Sequence, residues 1–234
     1  MIRRVFALVL VLVFSLMLST VAVAGSGTQQ LVPTTPGTIM ATIPTVDEQR
    51  AGLTFWWPEY YISRMISGAR EVGGNFIQVG TGSPQGIRAN TLRPVASAGM
   101  RVEADTICAT TGATDVRLVI DQPVLVNRDI LVSGWVGGAE VDRVREYFNR
   151  FFRNAIQVVH MDHTGGFGQT VRIAARVNLD GMEINQLAFY SFDWQTNVAR
   201  RIAHPNYSID GEFVWFSTDV GDFVIISSAP LVRR

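Results

Sequence analysis

The residues best suited to chemistry stand together at positions 160–163, which read His-Met-Asp-His and precede a threonine and two glycines. On a strand, residues two apart share a face, so His160 and Asp162 project on one side and His163 on the other. Imidazole and carboxylate groups bind metals or move protons, but a closed metal site takes more ligands than this face offers. A strand end running into a glycine turn, with Asp162 bonded to the turn backbone, is the simpler interpretation. We therefore predict no catalytic and no metal-binding residues here.

A second group is aromatic: positions 55–61 read Phe-Trp-Trp-Pro-Glu-Tyr-Tyr. Exposed, these rings would form a platform for a sugar, a peptide or another protein, because Trp and Tyr give large rigid contact areas with a polar tip. On that interpretation the ligand-binding residues are Trp56, Trp57, Tyr60 and Tyr61. Buried, the same rings would close one end of the core, and the sequence alone leaves both interpretations open.

Other chemistry finds little support in the 234 residues. All 20 basic residues are arginine, which excludes a Schiff-base lysine and a phosphate-loop lysine, and the single cysteine, Cys108, has no partner for an internal disulfide. Glu103 and Asp105 share one strand face beside Arg101, an arrangement typical of a solvated face rather than of an acid–base pair. No GxGxxG or GxSxG motif occurs, and zero net charge argues against nucleic-acid binding. We predict no cofactor and no enzymatic activity.

The N-terminus has the pattern of a secretory signal over residues 1–24. Arg3 and Arg4 precede an apolar run, and Ala22-Val23-Ala24 gives a small-residue cleavage site before Gly25. An uncleaved membrane anchor is the competing interpretation, and it is the one case in which we expect a membrane partner. Residues 25–46 are rich in Gly, Ser, Thr, Gln and Pro and are predicted to be a flexible linker. Residues 47–234 then form a single β-rich domain, least clearly over 47–99.

The elements that would position these groups are mainly strands. Apolar and polar residues alternate at 100–105, 116–121, 171–177 and 213–217, as in strands with one face in a core. Turns are predicted at Asp180-Gly181, at Asp210-Gly211 and at 220–222. This spacing favours a mostly β fold, an antiparallel β-sandwich (Ig-like or related), over alternating βαβ units.

One or two short helices are predicted beside the strands. The apolar spacing of Val141, Val144 and Phe148 indicates a helix over 139–155. A second helix is predicted over 87–98, ending at Gly99 as a C-cap and kinked if Pro94 lies inside it. Residues 52–80 fit a strand or a helix equally well.

The C-terminal half resembles a known kind of module. The residues that carry the resemblance are the runs 168–175, 187–193, 197–202, 207–219 and 221–226, in which a strand leads through Asp210-Gly211 into two further apolar strands. Over 168–226 the chain is similar to largely uncharacterised secreted or cell-surface β-sandwich modules of Firmicutes-type bacteria. The resemblance implies a secreted sandwich of an adhesive or wall-associated kind, and it implies no catalytic residues.

Together these observations predict a secreted, non-catalytic β-sandwich module that binds or scaffolds at the bacterial cell surface, with a polysaccharide or a protein as partner. Two alternatives remain open. One is a secreted hydrolase that uses carboxylates on loops. The other is a structural surface protein that assembles by strand pairing. The sequence does not define the oligomeric state.

Overall fold

A computed structural model describes residues 30–35, 38–42, 54–121, 123, 128–152 and 155–228. Within these residues the strands, numbered in chain order, are β1 Gln30–Thr35, β2 Thr38–Thr42, β3 Phe55–Trp56, β4 Phe76–Thr81, β5 Gln85–Ile87, β6 Arg101–Ile107, β7 Thr114–Ile120, β8 Ile130–Leu131, β9 Gly134–Trp135, β10 Ile156–Arg176, β11 Ala188–Asp193, β12 Val198–Arg201, β13 Ser208–Asp210 and β14 Phe213–Ser227. The helices are α1 Glu59–Glu71, α2 Ala89–Ser97 and α3 Ala139–Phe148, and a 3₁₀ turn spans Ile184–Gln186.

Most strands belong to one large mixed sheet, in the order β1-β2-β4-β6-β7-β10-β14-β11-β12. The pairs β2/β4 and β4/β6 are parallel, and α1 and α2 provide the crossover connections that parallel neighbours require. From β6 to β12 along this order, all neighbours are antiparallel. A small second sheet has the order β3-β5-β8.

The helices form where apolar residues recur at helical spacing. In α1 the buried positions are Ile62, Met65, Ile66 and Ala69, so one stripe packs on the sheet. Helix α2 contains Pro94 and is followed by Gly99 at φ 66°, a left-handed conformation that glycine adopts without strain. Helix α3 begins after Gly138 and buries Val141, Val144 and Phe148.

The large sheet is covered on both faces. The larger apolar cluster contains Met65 of α1 and Leu92 of α2 together with Val224 of β14. The smaller cluster joins α3 to the opposite face, because Phe223 and Ile225, which alternate with Val224, belong to it. The part of the β10–β14 pair around Phe223 to Ile226 is thus buried from both sides, and the site described below lies next to it.

The prediction of a mostly β fold is confirmed, and the strands expected from alternation are present as β6, β7, β10 and β14. The two predicted helices correspond to α2 and to α3, which ends at Phe148 rather than near 155. A third helix, α1, occupies part of the segment that the sequence left open, after the two-residue strand β3. The parallel pairs among β2, β4 and β6 add βαβ units to the antiparallel arrangement that the sequence favoured.

Two local predictions need correction. Strands β1 and β2 lie within 25–46, the segment predicted to be a flexible linker, and pair with each other antiparallel. The segment 220–222, predicted to be a turn, instead continues β14 opposite a bulge in β10, and Asp222 there has φ 63°. The signal predicted over 1–24 lies outside the described residues. Across the described ranges, no helix combines the length and the apolar character that a bilayer crossing requires.

Candidate functional site

The site is created by an interruption in the pairing of the two longest strands. Residues 161 to 166 of β10 face residues 222 to 220 of β14, so β10 bulges outward here. The backbones approach so closely that a Cβ at Gly221 would overlap the carbonyl oxygen of His163. Only glycine fits this position without moving a strand. The bulge exposes Thr164 and Gly165 beside Asp222.

Next to the bulge lies a cavity of about 170 Å³, which we call the indole cavity. Its lining includes Glu140 and Arg143 of α3, His160 of β10, Trp194 and Gln195 of the β11–β12 turn, and Phe223 of β14. Glu140 and Arg143 are three residues apart in α3 and therefore point to the same side of the helix. The cavity combines aromatic rings with groups of both charges.

His160 lines the indole cavity between β14 and α3. It is the cross-strand partner of Phe223, and the two rings stack with centroids 4.4 Å apart and planes 15° from parallel. Its Nδ1 lies 3.7 Å from Oε2 of Glu140 and 4.0 Å from Oδ1 of Asp162. One imidazole nitrogen is therefore flanked by two carboxylates at the edge of the cavity.

Asp162 stands behind His160 and is held by the neighbouring segment. The Ser133 hydroxyl donates a short hydrogen bond to its Oδ2, and Nε1 of Trp135 donates to its Oδ1 at 3.1 Å. Burial raises the pKa of Asp162 above its ordinary value, although the bond from Ser133 and the positive charge of a protonated His160 oppose the rise. The prediction that Asp162 bonds to a turn backbone is wrong, because the chain continues as β10 and the side-chain partners of Asp162 are Ser133, just before β9, and Trp135 of β9.

A structured turn presents Trp194 to the cavity. Oδ1 of Asp193 accepts hydrogen bonds from the backbone N–H groups of Gln195 at 2.8 Å and Thr196 at 3.1 Å, and Asn197 closes the turn at φ 55°. The indole is 47% exposed and lies 6.1 Å from the Phe223 ring. A large apolar surface is thus held open to solvent by a defined turn.

Asp222 joins the bulge to the cavity. Its Oδ2 accepts a hydrogen bond from the Gly165 N–H at 3.3 Å. Burial raises the pKa of Asp222, the bond from Gly165 lowers it, and the nearby Asp193 carboxylate raises it further. Its left-handed backbone costs about 1–3 kcal/mol in a residue other than glycine, and such strain is concentrated at functional sites.

The aromatic residues predicted to bind a ligand lie elsewhere and do not act together. Trp57 is 1% exposed, and its Nε1 donates to Oε1 of Gln85 at 2.8 Å, so Trp57 belongs to the core. Trp56 is half-buried beneath the guanidinium of Arg88, 5.0 Å from its ring centroid. Tyr60 is 63% exposed and meets the half-buried Tyr61 edge to face. The platform is therefore limited to Tyr60, the edge of Tyr61 and part of Trp56, and its binding role stays a prediction.

The remaining polar candidates are structural. His163 is buried against Phe167, at a centroid distance of 4.5 Å, and burial lowers its pKa. Asp105, expected on a solvated face, is 1% exposed and accepts two hydrogen bonds from Arg117, at 2.6 and 2.9 Å. Within the described ranges, no three His, Cys, Asp or Glu side chains are grouped so that they could hold a metal ion.

Sequence reasoning located His160 by its residue type but missed its partners. Glu140, Trp194 and Asp222 are 20 or more positions away, and no local pattern connects them. A tryptophan in a short turn between Asp193 and Asn197 was a further indication of the site that sequence reasoning could have used.

The chain matches no protein-family model, no curated protein and no solved structure.

Proposed function

We propose that the protein is a non-catalytic binding module that holds a saccharide ring in the indole cavity. The observation that carries this proposal is the exposed indole of Trp194, held beside the Phe223 ring in a small concave site. Aromatic rings offer a flat apolar surface to the C–H face of a sugar, and a few polar groups around them fix its hydroxyls. Gln195, Glu140 and Arg143 provide such groups here.

A saccharide fits this site better than a protein partner does. A stable protein interface buries about 800 Å² on each partner and is usually broad. The cavity of about 170 Å³ has the dimensions of a small ring, and its aromatic surface is recessed between α3 and the β11–β12 turn.

A cell-surface role rests on the predicted signal. We propose that residues 1–24 are removed on export, which would bring the cavity into contact with external polysaccharide. N-terminal sequencing of the protein recovered outside the cell should begin at Gly25. Recovery of the protein in the membrane fraction with its N-terminus intact would instead support the interpretation of residues 1–24 as an uncleaved membrane anchor.

The binding proposal is tested with a glycan array and two variants. The wild-type chain should bind a defined set of saccharides, and Trp194→Ala should lose that binding while its melting temperature changes little, because nearly half of Trp194 is exposed. Tyr60→Ala is the matched comparison, since it removes another exposed aromatic ring far along the sequence. Loss of binding in Tyr60→Ala but not in Trp194→Ala would show that the ligand binds at the platform at 55–61 and not in the indole cavity.

A second candidate function is favoured by one observation. His160 lies between Glu140 and Asp162 beside the cavity, and a carboxylate with a raised pKa next to a histidine is typical of acid–base chemistry. A carboxylate-dependent hydrolase would release reducing ends from a bound polysaccharide. Release that disappears in Asp162→Asn would identify this activity and refute the non-catalytic proposal.

A further inference from the structure

The bulge in β10 contains a buried histidine that the proposed saccharide contacts do not use. His163 is 7% exposed, and its ring stacks on Phe167. The pairing of β10 with β14 stops at Met161 and resumes at Gly166, so this ladder does not hold residues 162–165. Hydrogen bonds of the His163 ring hold the segment instead.

Both nitrogens of the His163 ring are engaged, and each has a fixed role. The backbone N–H of Leu131, on β8, donates to Nδ1 at 3.4 Å, so Nδ1 carries no proton. Nε2 lies 3.2 Å from the carbonyl oxygen of Gly166, which is an acceptor, so Nε2 carries the proton. These contacts require one neutral tautomer, in which the ring joins β8 to the far end of the bulge.

A second proton on the ring would disrupt this arrangement. It would lie on Nδ1 and point at the Leu131 N–H, so a hydrogen bond would become a contact between two donors. Burial lowers the pKa of His163, the Gly166 carbonyl raises it, the nearby Arg128 guanidinium lowers it and the Asp222 carboxylate of β14 raises it. Arg128 also donates to the Gly166 carbonyl, at 2.6 Å, so it stands at the same end of the ring as Nε2.

The bulge that His163 holds forms part of the indole cavity. Thr164, the next residue, lines the cavity, and so does Asp222. The N–H of Gly165 donates to Oδ2 of Asp222 at 3.3 Å. A displacement of the bulge would therefore move Thr164 and remove a hydrogen bond from Asp222.

We propose that His163 is a pH-sensitive switch, whose neutral ring holds the bulge in its saccharide-binding position and whose protonation releases the bulge and the ligand. The ligand in this inference rests on the proposed function, whereas the switch itself is a property of the free chain. Because one proton is taken up, the fraction of chains able to bind should fall about tenfold for each pH unit below the pKa of His163 in the folded chain.

The switch is tested first without a ligand, by nuclear magnetic resonance of the isotope-labelled full chain from about pH 8 to about pH 4.5. At the upper end His163 should carry its proton on Nε2. It should take up the second proton below pH 6.5, the ordinary value for histidine. The backbone amide signals of Leu131, Thr164 and Gly165 should shift with the same midpoint.

Two results of this measurement would overturn the switch. One is a proton on Nδ1 at about pH 8, and the other is a set of bulge amides that do not shift with the His163 ring. Both come from the wild-type chain, so they decide the question even if a variant at His163 fails to fold.

The consequence for binding is tested with the glycan array over the same pH range. Glycans bound at about pH 7.5 should be released as the pH falls, and His163→Gln should keep them to a lower pH, because its amide has a donor and an acceptor but takes up no proton. The matched control is His204→Gln, which replaces an exposed histidine after β12 and should release glycans as the wild type does.

The outcomes separate this inference from the proposed function. Release from His163→Gln at the same pH as from the wild type overturns the switch and leaves the proposed function standing. Absence of binding at every pH overturns the proposed function and the role of the switch in ligand release, while the resonance measurements still decide whether His163 controls the bulge.

Discussion

Replacing Gly221 with alanine should destabilise the protein through one contact. The added Cβ would overlap the carbonyl oxygen of His163 and lie 2.8 Å from its carbonyl carbon. Both atoms belong to the backbone of β10, so no side-chain rotation relieves the overlap. The two strands must therefore separate within a buried pair. For this reason Gly221→Ala should be among the costlier cases of overpacking.

The magnitude follows from that geometry. Overpacking of a buried site costs about 1–3 kcal/mol, and a backbone obstacle favours the upper part of that range. For a chain of this size, each kcal/mol lowers the melting temperature by about 2–4 °C, so a loss of about 2–3 kcal/mol corresponds to a fall of about 4–12 °C. Thermal unfolding followed by circular dichroism measures the fall, and denaturant titration measures the free energy directly.

Gly166→Ala is the matched control, because Gly166 lies in the same bulge. Its nearest contact for an added Cβ is the carbonyl oxygen of Asp219 at 3.6 Å, an ordinary van der Waals distance. We expect its unfolding free energy to change by less than about 0.5 kcal/mol. Equal melting temperatures for the Gly221 and Gly166 variants would refute the close approach of β10 and β14 at the bulge.

Three further predictions concern the core and the buried carboxylate. Phe148→Ala should cost about 3–5 kcal/mol in denaturant unfolding because the ring fills the space between α3 and the sheet, whereas the exposed Tyr147→Ala should cost less than about 1 kcal/mol. Trp57→Phe should cost about 1–3 kcal/mol by the same measurement, because it leaves the side-chain oxygen of Gln85 buried without its donor; an unchanged value would place Trp57 at the surface. Burial raises the pKa of Asp162 above 3.8, so its proton stabilises the folded state at low pH and that contribution is lost as the pH rises through the folded value. The stability of Asp162→Asn relative to wild type should therefore increase as the pH rises above about 4, and a constant difference would contradict the raised pKa.

The sequence predicted strands best where one face is apolar and the other polar. In β6 and β7 the alternation is regular, so both strands could be located before the structure was known. The N-terminal βαβ units escaped prediction for a physical reason. Residues 76–81 form a short strand with little alternation, and the aromatic run before α1 fits either kind of element. Parallel pairing also depends on contacts between segments distant in sequence, which local patterns do not record.

The candidate site was predictable only in part, because it is assembled from four separate segments, α3, β10, the β11–β12 turn and β14. The residue types at 160–163 drew attention to β10, yet His160 acquires its environment from Glu140 on α3 and Phe223 on β14. The aromatic run at 55–61 led to a wrong prediction for Trp57, which lies in the core and not on a binding surface. Neighbouring aromatic residues suit a core as well as a binding platform. The buried hydrogen bond from Trp57 to Gln85 shows that Trp57 belongs to the core.

The bulge explains why a cavity exists on a sheet that is otherwise closely paired. A regular ladder holds neighbouring strands about 5 Å apart and produces a nearly continuous surface. Here residues 161 to 166 face residues 222 to 220, and the unpaired length of β10 extends outward as Thr164 and Gly165. That extension contributes Thr164 to the lining of the indole cavity, Asp222 in its left-handed conformation also lines it, and the β11–β12 turn contributes Trp194 and Gln195. The close approach of the two backbones at Gly221 and the outward displacement of Thr164 therefore have one cause, the bulge in β10. The Gly221→Ala variant should accordingly lose saccharide affinity as well as stability.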